Sequence, residues 1–393
     1  NPVVDVAKKL KIELCEINPE NDGPSGIFNI YEKESEYSLP DESDEALVLH
    51  TSGTTSRPKI VPLTNKNIFS SAENISKSLN LSENDHCLNI MPLFHIHGLI
   101  AILASSMKAG ASVCASNGFN AIKFLDLAKS EKITWYSGVP TMHQTILLRA
   151  HRNLEIAKGL KLRLIRSSSA SLPPAVFNDL NDVFSCPVIE AYGMTEATHQ
   201  MTSNPLPPKQ QKAGFVGLPA GPEVCIMNEN GEVLKQGDEG EVCIKGENVT
   251  VGYDNNEEAN KTSFTNGWFR TGDQGYFDKE GYLKISGRLK EIINKGGEKI
   301  SPLEVDNVLM DHPFIDQAVC FGYDDKMLGE NIASAIIIKS GETCSENDVL
   351  EYAQEKLAKF KIPKKIFFVE EIPKGATGKL QRNVLAKKFG LNN

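Results

Sequence analysis

Short apolar runs, each followed by a Gly/Ser/Thr-rich loop and then a polar amphipathic stretch, recur through the first two-thirds of the chain. Residues 46–50 predict a buried strand entering the loop 51–59. Alternation of Leu160, Leu162 and Leu164 with Lys161 and Arg163 predicts a strand over 160–165. It ends in Arg166-Ser167-Ser168-Ser169, and Pro173-Pro174 then opens a helix. Residues 187–190 predict a further strand, ending at Tyr192-Gly193. This repeated strand–loop–helix order belongs to an α/β domain whose ligand sits at the strand C-termini.

From 225 to 252 the pattern changes to β-rich hairpins, with turns at 228–231 and 237–240. Another hairpin is expected to turn at 278–281. After Gly287-Arg288-Leu289-Lys290 the character shifts again. Ser301-Pro302-Leu303-Glu304 reads as a capping box. Strands are expected at 317–321, 332–338 and 365–369, with a helix over 347–359. The organisation predicted is a large α/β domain over 1–287, of layered sheets and helices plus a β-rich subdomain. A small, mobile α+β C-terminal domain follows over 288–393, hinged near 288–291. The chain opens at Asn1-Pro2 and enters 3–10 as if in the middle of a fold, so the large domain is expected to lack its N-terminal part.

Composition narrows the function. Lys plus Arg number 42 against 51 Asp plus Glu, a formal net charge of −9, which argues against a nucleic-acid partner. Residues 288–393 hold 16 basic and 16 acidic side chains, so the whole excess lies before them. The basic end at 356–393, with ten cations and two carboxylates, could meet a polyphosphate or be a solvated face. The apolar stretch 99–107 is far shorter than the roughly 20 residues that span a bilayer. Eight scattered cysteines with no CxxC pair read as reduced thiols, and a cytoplasmic location is the expectation.

The densest chemistry is Thr51-Ser52-Gly53-Thr54-Thr55-Ser56-Arg57-Pro58-Lys59. Five hydroxyls, a glycine and two cations after a strand suit a phosphate-gripping loop, although GxxxxGK[ST] is absent. The string resembles the signature loop of the adenylate-forming enzymes, which include acyl-CoA synthetases, adenylation domains of peptide synthetases and firefly luciferase. The likeness continues in order. Pro92-Leu93-Phe94-His95-Ile96-His97-Gly98 is similar to the motif near the acyl pocket, and Tyr192-Gly193-Met194-Thr195-Glu196 to YGxTE. Trp268-Phe269-Arg270-Thr271-Gly272-Asp273 is similar to the TGD motif. Arg288-Leu289-Lys290 resembles the hinge, and Pro373-Lys374 with Gly378-Lys379 the C-terminal lysine motif.

The resemblance implies ATP, Mg2+ and coenzyme A as reactants and assigns roles. Thr51, Ser52, Gly53, Thr54, Thr55 and Lys59 would hold the β- and γ-phosphates. Tyr192 would stack on adenine beside Ala191, Gly193 and Met194, with the Ser169-Ala170-Ser171 backbone on the other side. Thr195 would bind the α-phosphate and Glu196 the Mg2+. Asp273 would accept from both ribose hydroxyls, reinforced by Arg288. Lys379 would bridge the attacking carboxylate and the α-phosphate, and His95 joins the expected catalytic set. Lys290 would be the hinge, and Gly296 and Gly297 would let pantetheine pass. Many relatives have lysine where this chain has Asn294, and Ser56 and Ile60 replace glycines usual in the loop.

A hydroxyl- and imidazole-rich acid pocket favours a small polar or dicarboxylic acid, because a second buried carboxylate needs donors. RSSSASLPP, EAYGMTEATHQMTSNP and INKGGEKISPLEVD resemble the oxalate–CoA ligases of plants and fungi. That likeness implies oxalate, contacted by Ser168, Ser169 and His199. The alternatives are a CoA ligase for a coumarate-like, medium-chain or fatty acid, or a catalytically incomplete nucleotide-binding fragment.

Overall fold

The computed structural model describes residues 2–14, 17–19, 28–30, 39–51, 59–375 and 380–391. The chain divides into two units, Asn1–Asp41 and Glu42–Asn393. The first holds the helix Pro2–Leu10 and an antiparallel pair of short strands, Ile17–Pro19 and Phe28–Ile30.

The second unit is built on a seven-stranded sheet. Its order is Leu218–Pro219, His199–Ser203, Val188–Met194, Leu164–Ser167, Trp135–Gly138, His86–Asn89 and Ser112–Ala115. The last five run parallel, and the first two join antiparallel at one edge. Parallel strands are covered on both faces, and the side-chain alternation shows it. Tyr136, Ile165 and Val188 pack in one core against Phe124, Ile146 and Leu180 from the covering helices. Trp135, Leu164 and Ile189 point the other way, into a core shared with Ile75 and Ile100. Ile100 lies on His97–Ala104, a helix with i to i+5 hydrogen bonding.

Next comes an antiparallel sheet in which Glu223–Met227, Gly240–Lys245 and Trp268–Phe277 lie side by side, with Leu283–Arg288 also paired to the last. The Asp278 turn forms as expected: its N–H donates to the Tyr282 carbonyl and its own carbonyl accepts from Gly281. The third sheet carries Ile315–Asp325 antiparallel to Gly329–Ile338, with Lys365–Phe368 parallel to the latter. Helices Pro302–Met310 and Glu346–Lys356 cover one face through Val305, Leu309 and Val349.

Several expectations need correction. The strand Glu45–His50 exists, but it is half exposed rather than buried: among the described residues it pairs only with Ile60–Thr64, so Leu47 and Leu49 turn inward while Val48 stays 49% exposed. The strand expected over 160–165 begins at Leu164 and runs to Ser167, with Leu160 and Leu162 buried ahead of it as loop. The strand expected from 187 and ending at Tyr192-Gly193 runs from Val188 to Met194, and its residues 191–194 pair with His199–Ser203. The helix expected to reach 359 ends at Lys356, and a separate turn follows at Lys359–Lys361. Ser301 caps its helix by accepting from the Glu304 N–H, but Glu304 does not return the bond; its carboxylate takes Lys361 Nζ at 2.6 Å instead.

Candidate active site

At the C-terminal ends of the parallel strands the chain must turn into loops whose backbone groups are left over from the sheet. Those loops line a cavity of about 730 Å³, within the usual range for small-molecule sites. Ser169, Ala170 and Ser171 follow one strand, and Ala191, Tyr192 and Gly193 lie in the next. Asp273 and Arg288 reach the same cavity from the antiparallel sheet, where they are direct register partners.

The local sequence accounts for the presentation of Asp273. Gly272 adopts φ 75°, a conformation open to glycine. The Thr271 hydroxyl donates to the Val242 carbonyl and accepts the Asp273 N–H. Asp273 is buried, and its oxygens are separately engaged: Oδ2 accepts from the Tyr192 hydroxyl at 2.5 Å, and Oδ1 lies 3.2 Å from Arg288 Nε. Burial, then the Asp273 carboxylate, push the Tyr192 phenol well above its ordinary value, so it stays a donor. A carboxylate oxygen can accept more than one donor.

A second cluster surrounds Glu196, on the turn Thr195–Ala197. Its Oε1 accepts from the Tyr253 hydroxyl at 2.7 Å, and Lys59 Nζ sits 4.1 Å from the centre of the Tyr253 ring. Burial pushes the Lys59 ammonium below its ordinary value; the Glu196 charge opposes this and the Lys290 charge adds to it. Thr51 closes the base of its loop: its N–H donates to the Lys59 carbonyl and its hydroxyl accepts the Lys59 N–H. Ser52, Gly53, Thr54, Thr55 and Lys379 lie outside the described residues. Among the described residues no group of three His, Cys, Asp or Glu is placed to hold a metal ion. Glu196 with an oxygen not used by Tyr253 suits Mg2+, which takes one or two carboxylates and completes its shell with phosphates and water.

The third cluster is polar and buried. His97 places Nε2 2.7 Å from the Ser137 hydroxyl and Nδ1 3.0 Å from the Ser169 hydroxyl. The His199 ring lies 5.1 Å from that of His97, centre to centre. His95 Nδ1 accepts the His97 N–H. Gly98 is required here because a Cβ would meet the Pro92 carbonyl oxygen at 2.5 Å. Ser168 is fully buried and its hydroxyl donates to the Ala191 carbonyl, tying two strands together outside the cavity lining.

Lys290 sits on the short turn Leu289–Glu291. Gly296 and Gly297 form the turn between Ile293–Lys295 and Glu298–Ile300, with φ 62° and 94°, and do not line the cavity. Three residues escaped the sequence reading. Glu190 lines the cavity and is buried; its alternation with Val188 on one strand face was the available signal. Arg166 shares a face with Leu164 in the same way. Tyr253 had no signal, since its contact with Glu196 spans 57 positions.

Comparison with known proteins identifies the family. A family model described as "AMP-binding enzyme" matches residues 3–254, and "AMP-binding enzyme C-terminal domain" matches residues 304–379. An oxalate–CoA ligase of Arabidopsis thaliana is 48% identical over 396 residues, covering 99% of this chain and 77% of the relative. One of Saccharomyces cerevisiae is 49% identical over 349 residues, covering 88% of this chain and 64% of the relative, so this chain spans about two-thirds to three-quarters of their lengths. The crystal structure of ATP-bound MatB from Rhodopseudomonas palustris superposes with a TM-score of 0.84 at 32% identity, covering 89% of this chain and 69% of that one. The chain belongs to the AMP-binding enzyme family, adenylate-forming acid–thiol ligases that use ATP, Mg2+ and coenzyme A.

Proposed function

We propose that this protein activates oxalate with ATP and transfers it to coenzyme A, giving oxalyl-CoA, AMP and pyrophosphate. The observation that carries the choice of acid is the buried cluster His97, Ser137, Ser169 and His199, which offers hydroxyl and imidazole groups where an apolar acid would need an apolar wall. The names of the Arabidopsis and yeast relatives support the same acid.

In the first step a carboxylate oxygen attacks the α-phosphorus and pyrophosphate leaves. In the second the thiol sulfur attacks the acyl carbon, AMP leaves and the thiol proton goes to solvent. Neither step needs a protein nucleophile; both need charge balance and alignment. Lys59 and the loop 51–55 would hold the outer phosphates, and Thr195 the α-phosphate. Tyr192 and the 169–171 backbone would hold adenine, and Asp273 with Arg288 the ribose. Glu196 would hold Mg2+, which neutralises phosphate charge when bound. Lys379 and His95 would serve the adenylation step. The segment 288–393 would turn about Lys290 to bring Gly296 and Gly297 to coenzyme A.

AMP release in the presence of coenzyme A, compared for oxalate, acetate, coumarate and octanoate, tests the reading. Oxalate is expected to lead in kcat/KM by about 10³-fold or more, since a site built for a polar group rejects analogues that leave it unpaired. A preference for coumarate or octanoate overturns it.

A further inference from the structure

Beside the acid cluster stands a buried cation that the reading above does not use. Arg166 is fully buried on the strand Leu164–Ser167. Its Nη2 lies 3.2 Å from Gln200 Oε1 and 3.4 Å from His199 Nδ1. Nε and Nη1 have no partner among the described residues. The contrast with a partly buried arginine is informative: Arg382 meets both Asp306 and Glu291, whereas no ion pair formed among the described residues includes Arg166. Burial pushes its guanidinium down to about 9, so the group is still a cation at neutral pH. An unbalanced buried cation is costly, and an anion brought next to it removes that cost.

The contact with His199 carries a second consequence. A guanidinium only donates, so His199 Nδ1 must accept, and the neutral ring then holds its hydrogen on Nε2. His199 itself is held at φ 100°, with its carbonyl against Gly193, and its ring faces His97. His97 in turn meets Ser169, which lines the cavity.

We infer that Arg166 is a positioning and specificity-determining residue: it fixes His199 as an Nε2–H donor and supplies the buried positive charge that balances the second carboxylate of a dianionic acid. The inference rests on the oxalate reading and names the side chain that would make a dianion preferred over a monoanion.

The test compares Arg166→Met and Arg166→Lys with the unaltered 393-residue protein, using oxalate and acetate as acids. The methionine variant is expected to raise KM for oxalate about 100-fold, because it leaves the polar cluster without its charge, while KM for ATP stays within about twofold. Its kcat/KM for acetate stays level or rises. The lysine variant, which keeps the charge and loses the fork, falls between the two. Nitrogen-15 NMR of the labelled histidines is expected to show the Nε2–H tautomer for His199 in the unaltered protein and its loss in Arg166→Met.

Equal losses for oxalate and acetate, or an oxalate KM that moves by less than about threefold, overturn the inference. So does a His199 tautomer that ignores the substitution. Should the methionine variant fail to fold, the lysine variant and the tautomer of the unaltered protein decide the matter. If the unaltered protein prefers another dianion such as malonate, the oxalate reading falls, while the same comparison on that dianion still decides the role of Arg166.

Discussion

Glu190 offers a quantitative test of the cavity's electrostatics. It follows Val188 on one face of a central strand, 1% exposed, with Oε1 accepting the Leu172 N–H at 2.9 Å. Oε2 has no partner among the described residues. Burial pushes its carboxyl up from 4.5 to about 8, opposed by the Leu172 and Gly214 N–H groups. At pH 7 the group is therefore protonated in the folded protein and ionised in the unfolded chain. Between those two values the unfolded state binds fewer protons, so stability falls as pH rises, by about 1.4 kcal/mol per pH unit from this group. Above about 8 the carboxyl ionises in both states and the slope ends.

Glu190→Gln has nearly the same shape, is neutral at every pH and retains an oxygen for the Leu172 N–H. It removes this one titration and leaves every other group in place, so a difference between the two proteins isolates it. Urea denaturation of both, in matched buffers from about pH 5.5 to about pH 7.5, is expected to show the variant gaining on the parent by about 2.5 kcal/mol. Stability curves that stay parallel across that window would refute the reasoning, because they would mean that Glu190 is already ionised in the fold.

Three further outcomes follow from packing and pairing. An ideal Cβ at Gly193 would stand 1.9 Å from the His199 carbonyl oxygen; Gly193→Ala must push the paired strands apart, and thermal melting should reveal a loss of about 3 kcal/mol or more. Tyr253→Phe and Glu196→Gln, measured singly and together in nucleotide-free protein, should couple by about 1.5 kcal/mol through the 2.7 Å bond, and additive losses would deny it. Asp306→Asn removes the carboxylate 2.6 Å from Arg382 Nη2 and leaves that half-buried cation with Glu291 alone, at a cost of about 1.5–3 kcal/mol. The double change Asp306→Leu with Arg382→Met should cost less than either single change, which urea denaturation can check.

The elements themselves were legible because burial on both faces writes continuous apolar runs and turn chemistry punctuates them. Where the reading failed, tertiary pairing decided the outcome. Nothing in the string around Tyr192 and Gly193 announces that residues 199–203 fold back to pair with them and carry the strand to Met194. Glu304 stands where a capping box needs it, but Lys361, distant in sequence, takes its carboxylate.

The site divides along the same line. Residues that would touch nucleotide fall in short strings whose composition is unusual for structure alone, and Thr271-Gly272-Asp273 is an example: hydroxyl, positive φ and carboxylate each have an identifiable local task. The groups that hold those strings in place come from elsewhere and look ordinary in sequence. Glu241 fixes the Gly272 N–H from the neighbouring strand, and Tyr253 fixes Glu196 from 57 positions away. Arg166 and Glu190 are intermediate cases. Each interrupts an apolar face that its strand otherwise keeps, with Leu164 two residues before one and Val188 two before the other. A charge tolerated at such a position must find a partner or change its protonation state. Glu190 takes the second course. Arg166 remains a cation with no carboxylate paired to it among the described residues, and that is the ground on which its role toward a dianionic acid is proposed.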